Sequence, residues 1–212
     1  MAGIAETSFP HNLGRTQFNA EFRKPTNQGQ RTREYLDELE IKLLLGAAKR
    51  SRFHSVRNHC LVLTMFMHGL RVSEASNLRW RDVDLKDGRI HINRLKNGNS
   101  GTHYIYGEEL RALRALKKLK DDFPTFVFSS ERGGRLTASG IQQLMATLGK
   151  SANFDFPLHP HMLRHSCGYY LANQGLDTRL IQDWLGHKSI SCTVLYTQLS
   201  PRRFEGIFKD WV

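Results

Sequence analysis

From Thr32 onward, apolar residues recur at helical spacing. Leu36, Leu39, Leu43 and Ala47 predict an amphipathic helix with Thr32 as its N-cap. The next stretch, about residues 54–68, is apolar nearly all round in "CLVLTMFM" and predicts a helix at the centre of the core. Gly69 follows, able to end that helix in the left-handed conformation. Upstream the pattern vanishes. Residues 1–31 are polar and basic, without periodicity, and end in "KPTNQGQR", which predicts a flexible basic N-terminal arm.

After Gly69 the period changes. "DVDL", the turn signal "KDG" and "RIHINRL", with Ile90 and Ile92 alternating, predict a hairpin. "KNGNSG" is a second turn, and "THYIYG" a third short strand. The remainder reads as helices over about 107–120, 137–149, 160–174, 177–185 and 190–197, with a short last segment. There is no internal repeat or low-complexity tract. The expected fold class is mainly α with a small three-stranded antiparallel sheet (α+β). In the last segment, 201–212, Ser200 can cap a short helix with Pro201 at its first position. Phe204, Ile207, Phe208 and Trp211 then form one apolar stripe. So short a helix is unstable alone, so the stripe must dock on its own domain or on a neighbour.

Composition narrows the class. Apolar residues make up 40% of the chain, as in a globular protein with a full core. No run approaches the roughly 18 apolar residues of a membrane span. The start, "MAGIAETSFPHNLG", lacks the basic and apolar regions of a secretory signal, so a cytoplasmic protein is expected. Cys60, Cys167 and Cys192 are scattered and read as reduced, buried thiols. Charge changes the picture most. Lys and Arg number 31 against 20 Asp and Glu, a net +11, which points to a polyanionic partner, with nucleic acid foremost.

Candidate chemistry gathers in "HPHMLRHSCGYYL", residues 159–171. His161 and His165 share a helix face, as zinc-binding pairs do. The zinc-protease pattern needs Glu after the first His, however, and Met162 stands there. Arg164 would also repel a dication. No metal is therefore expected, and an anion site is favoured. Further groups suited to one lie elsewhere: Arg71 with Glu74 one turn on in "HGLRVSEASNL", Lys96 in the second β-turn, and His187 and Tyr196 in "LGHKSISCTVLYT". Two guanidiniums, Arg71 and Arg164, can chelate the charge built on a phosphoryl group without a metal. His161 and Arg164, three residues apart, can reach one phosphate together.

Taken together, these elements resemble the tyrosine site-specific recombinases of the phage integrase family. "HPHMLRHSCGYYLANQGLDTRLIQDWLGHKSI" and "TVLYT" are similar to the short fimbrial-switch DNA invertases. The resemblance covers residues 32–200 and implies a tyrosine recombinase catalytic domain there. It implies Arg71, Lys96, His161, Arg164 and His187 around a scissile phosphate, with Tyr196 as nucleophile. In this reading His161 accepts the tyrosyl proton and Lys96 is the general acid for the departing 5′-oxygen. Glu74 orients Arg71. No cofactor is implied. The partners implied are double-stranded DNA with inverted-repeat sites, three further subunits in a homotetramer, and DNA-bending accessory proteins, in the nucleoid-bearing cytoplasm. Residues 201–212 would dock between subunits. Most members carry an extra helical domain ahead of the catalytic one, whereas here only residues 1–31 precede it. One rival is a non-catalytic helix-turn-helix regulator, since "DTRLIQDWLGHKSISCTVLYTQ" has the helix, Leu-Gly turn and helix of that motif. Another is a DNA-relaxing enzyme of the same chemistry, which would need a larger clamp around DNA.

Overall fold

In the computed structural model of the protein, residues 34–94, 98–119 and 125–199 are described. The expected N-terminal arm, Lys96, the cap at Thr32 and the docking segment 201–212 lie outside them. Eight helices and one sheet make up the described part: α1 (Glu38–Lys49), α2 (Ser55–Met67), α3 (Val72–Asn77), β1 (Val83–Asp84), β2 (Arg89–Ile92), β3 (Gly101–Tyr104), α4 (Gly107–Lys118), α5 (Ala138–Ser151), α6 (Pro160–Asn173), α7 (Thr178–Leu185) and α8 (Ser191–Leu199). The mainly helical α+β class with one three-stranded antiparallel sheet is as expected. Among the described residues no helix is long and apolar enough to cross a membrane.

The start of the first helix differs from expectation. Asp37 is the N-cap of α1, accepting from the Glu40 amide at 2.8 Å while Glu40 accepts from the Asp37 amide at 2.9 Å. This reciprocal capping box, with Glu38 and Glu40 at the positive end of the helix dipole, starts the helix six residues after Thr32. Its inward stripe is Ile41, Leu44, Ala47 and Ala48, whereas Leu39 and Leu43 are 66% and 46% exposed. Leu36 reaches the core from the preceding loop, where its amide donates to Ser166 Oγ at 2.7 Å. Two leucines at helical spacing thus sit on the solvent face, because the register is set by the residues that meet α2 and α5.

α2 occupies the centre, packed by α1, α4 and α6, and is buried continuously from Asn58 to Met65. That position demands the all-round apolar pattern. The sheet runs β1-β2-β3, with Val83 opposite Ile90 and Ile90 opposite His103. Strand alternation turns Val83, Ile90, Ile92 and His103 inward and leaves Arg89 and His91 in solvent. A second, smaller core forms where α6, α7 and α8 meet, around Cys167, Ala172, Ile181, Leu185 and Tyr196. α6 serves both cores, sending Met162 and Leu163 into the first and Cys167 into the second. Cys60 and Cys167 are buried as expected, but Cys192 is exposed, since it lies on the solvent side of the first turn of α8.

Three segments had no counterpart in the hydrophobic pattern, the first of them the short helix α3. A 3-10 turn over Trp80–Asp82 leads into β1, and the stretch between α4 and α5 is tied down by the bridges Arg79–Phe126 and Ser129–Arg135. The last two rest on long-range backbone pairing, which leaves no local period. The revised register of α1 is testable. Leu44→Ala should cost about 2–5 kcal/mol, and Leu43→Ala no more than about 0.5 kcal/mol, in urea unfolding. Equal losses would return Leu43 to the core.

Candidate active site

The site is built on the end of α2. A helix leaves its last carbonyls without intrahelical partners and carries partial negative charge there. His68 closes α2, and Gly69 turns the chain at φ +56°, where a Cβ would strike the Leu185 side chain. Buried guanidiniums take the freed carbonyls. Arg164, from the second turn of α6, donates through Nη1 to Gly69 O at 2.6 Å and through Nη2 to Leu185 O at 2.8 Å. Arg94, just beyond β2, donates through Nη2 to His68 O at 2.9 Å and to Trp184 O at 2.6 Å.

Glu74 joins Arg94 to Arg71. One carboxylate oxygen accepts from Arg71 Nη1 and the other from Arg94 Nη1, both at 2.7 Å. The Arg71 amide also donates to Glu74 at 2.9 Å, so the carboxylate caps α3 as well. Burial works to raise the Glu74 carboxyl, but the Arg94 charge and the bonds from both arginines outweigh it and hold the group below its ordinary value. Burial, with Arg71 and Arg94 nearby, brings Arg164 down to about 10, which leaves it cationic at neutral pH. Three guanidiniums around one carboxylate leave the site with two net positive charges.

The sequence pattern assigned Arg71, Glu74 and Arg164 to this site and passed over Arg94. Arg94 stands in "INRLKNG" beside the turn lysine, and nothing local separates it from a solvated turn residue. The available signal was its position two residues after the inward Ile92, which continues the core-facing side of the strand.

His187 follows Gly186, whose φ of +66° closes α7. A Cβ on Gly186 would come within 2.7 Å of the Arg94 side chain and of Asn99 O, so glycine is needed here for space as well as conformation. His187 Nδ1 is 2.8 Å from the buried Thr193 hydroxyl, which orients the ring. Tyr196, on α8, is 2% exposed, with its ring flat on Gly168 of α6, where a Cβ would lie 2.7 Å from it. Its hydroxyl is 3.0 Å from Nδ1 of His165. Burial pushes the phenol up and Arg164 pulls it back only in part. His161, expected to take the tyrosyl proton, stands exposed one turn earlier, its ring edge-on to His165 at 4.7 Å. The direct partner of the phenol is therefore His165, to which the family resemblance assigned no role. Lys96 lies outside the described residues.

Burial and the cationic surround keep the imidazoles neutral. Burial, then Arg164, bring His165 down to about 4; burial, then Arg164, Arg71 and Arg94, bring His187 down to about 3. A neutral His165 can accept from the phenol at Nδ1 while carrying its own proton on Nε2, a tautomer assigned from the contact.

Arg94 and Arg164 thus stand on backbone carbonyls, Arg71 and Arg94 share the Glu74 carboxylate, and the Tyr196 phenol is withheld beside His165. The solved XerA recombinase superposes with a TM-score of 0.71 at 31% identity, over 82% of this chain and 64% of that one. This is the catalytic-domain fold of the tyrosine recombinases, and the chain spans less than two thirds of XerA. A profile of the phage integrase family matches residues 34–203, and the chain belongs to that family. The type 1 fimbriae regulatory protein FimB of Escherichia coli K12 is 44% identical over 180 residues, 83% of this chain and 90% of FimB. FimE of the same strain is 39% identical over 182 residues, 84% of this chain and 91% of FimE.

The neutral imidazoles make a pH prediction. In the unfolded chain histidine binds a proton near pH 6.5, whereas His165 and His187 resist until about 4 and 3. Between those values the unfolded state holds more protons, so acid favours it. Stability should be level above about pH 7 and fall steadily from about pH 6.5 toward pH 4, measured as the urea midpoint. A midpoint unchanged across that interval would mean that these rings take up protons as readily in the folded protein as in the unfolded chain.

Proposed function

We propose that this protein cuts and rejoins double-stranded DNA at paired inverted repeats through a 3′-phosphotyrosyl intermediate on Tyr196. The outcome is inversion of a promoter-bearing segment that controls fimbriae. The single observation that carries the chemistry is the packing of Tyr196 beside a cluster of three guanidiniums, two of them paired with Glu74. The fimbrial outcome is supported by the likeness to FimB and FimE along nearly their whole length.

In the forward step the Tyr196 oxygen forms a bond to phosphorus while the bond from phosphorus to the 5′-oxygen breaks. The phenolic proton passes to a neutral imidazole, for which the contact favours His165 over His161. Arg71 and Arg164 hold the equatorial phosphoryl oxygens with the donors not spent on Glu74 and the carbonyls, and His187 bonds a non-bridging oxygen. Lys96 supplies a proton to the departing 5′-oxygen. The phosphotyrosyl ester conserves the energy of the broken linkage, so the reverse step reseals DNA without a nucleotide cofactor.

Attack requires Tyr196 to leave its seat on Gly168, so cleavage waits on a movement of α8. Docking of residues 201–212 into a neighbour, in a four-subunit assembly on two sites, is suited to supply that movement. DNA-bending partners and a place on the nucleoid in the cytoplasm complete the reading, with the basic arm, residues 1–31, and the net charge of +11 favouring DNA contact. A regulator without chemistry is not favoured. α7 and α8 commit Ile181, Leu185 and Tyr196 to the second core, and such a regulator would leave the buried arginines without a purpose.

The test uses a DNA duplex selected for binding from a random pool, then nicked beside the cleavage point to trap product. Wild-type protein should form a covalent adduct on a denaturing gel. Tyr196→Phe should bind the same duplex and form none, and an adduct on the Phe variant would move the nucleophile elsewhere. Arg164→Lys keeps the charge but cannot span Gly69 O and Leu185 O. Its cleavage rate should fall by about 100-fold or more while binding stays within about threefold. Near-normal cleavage would show that charge alone suffices there.

A further inference from the structure

Behind the arginines lies a second chain of buried polar groups that the reaction leaves unused. His68 Nε2 is 3.0 and 3.1 Å from the two oxygens of Glu109 on α4. On its other side, His68 Nδ1 is 3.0 Å from Nδ1 of His103 on β3. His68 and Glu109 are each 1% exposed and His103 is 6% exposed. Trp184 of α7 closes the chain, stacking on the His103 ring at 4.0 Å and donating its indole N–H to Met67 O at 3.0 Å.

Burying a carboxylate and two imidazoles is costly unless each is paired and the geometry is good. What these groups hold is the end of α2. Met67 O takes the Trp184 indole, His68 O takes Arg94, and Gly69 O takes Arg164. The residue whose side chain is gripped by Glu109 and His103 is thus the residue whose carbonyl sets Arg94. Two Nδ1 atoms at 3.0 Å need one proton between them, and a neutral His103 can either give or take it. Burial, with the charges of His68, Arg94 and His91, brings His103 down to about 3, so it stays neutral through the working range.

We propose that the Glu109–His68–His103 relay is the positioning device for the buried arginines. It fixes the carbonyls of residues 68 and 69 against which Arg94 and Arg164 are set, so that His103 governs strand cleavage from outside the site. The proposal rests on the recombinase reading above and adds positioning residues that the motif pattern does not contain.

The experiment compares full-length wild type, His103→Leu and His103→Asn on the selected, nicked duplex, with binding and the rate of adduct formation measured separately. The Asn amide falls where Nδ1 stood and can give or take the same hydrogen bond. His103→Leu should bind within about twofold of wild type and form adduct about tenfold more slowly, while His103→Asn should recover to within about threefold. In an Arg94→Lys background the His103→Leu change should cost less than about twofold, because the arginine that the His68 carbonyl sets is already gone. A merely structural role would give equal losses in both backgrounds and equal losses for Leu and Asn, and either result overturns the proposal, as does a His103→Leu variant that cleaves at the wild-type rate. Should His103→Leu fail to fold, His103→Gln takes its place, since its amide is displaced one bond from the Nδ1 position. Wild type that binds but forms no adduct would defeat the recombinase reading itself. Wild type that forms adduct, matched by His103→Leu, defeats only the relay.

Discussion

Three successive peptide carbonyls at the C-terminal end of α2 hold the site together. Met67, His68 and Gly69 each direct a carbonyl to a side chain from a different part of the chain: an indole from α7, a guanidinium from the end of the sheet and a guanidinium from α6. A helix end normally gives such groups to water. Here the carbonyls of His68 and Gly69 belong to buried residues, so their bonds to the two guanidiniums are strong and their loss would be costly. The all-round burial of α2 follows from this placement. A helix whose end anchors the catalytic charge has to be gripped along its length, and α1, α4 and α6 grip it.

The electrostatics follow from the same arrangement. Glu74 neutralises one of three guanidiniums and leaves two net charges, suited to the extra negative charge of a phosphoryl group under attack. Packing cations this close needs a carboxylate between them, and Glu74 spans Arg71 and Arg94 with one oxygen each. Burial first, and this positive field second, keep His165 and His187 neutral, the state in which an imidazole can accept a proton or orient a phosphate oxygen.

Tyr196 is held in the opposite condition. Its ring fills the space that the missing Cβ of Gly168 leaves, within the smaller of the two cores, and burial makes its phenol harder to ionise. In the proposed reaction, the reactivity of Tyr196 is tied to the packing of the last helices, and the position of α8 decides whether the phenol is structure or reagent.

Much of this was legible along the chain. The central helix, the hairpin and the later helices follow from period and turn signals, because each depends on residues close in sequence, while Arg71, Glu74, His161, Arg164, His187 and Tyr196 were named through the family resemblance of their motifs. The register of α1 was not legible, since Leu39 and Leu43 fit a helical period as well as Ile41 and Leu44 do, and only contact with α2 and α5 chooses between them. Arg94, the His165 contact and the Glu109–His68–His103 relay were hidden for a related reason. Their partners lie 20 to 90 residues away in sequence, and a buried arginine in a turn has the same local signature as a solvated one. The sequence by itself determined which chemistry the chain carries. Only the tertiary structure decided which charges stand on which carbonyls and which imidazole meets the phenol, because those pairings exist only once distant segments close on the end of α2.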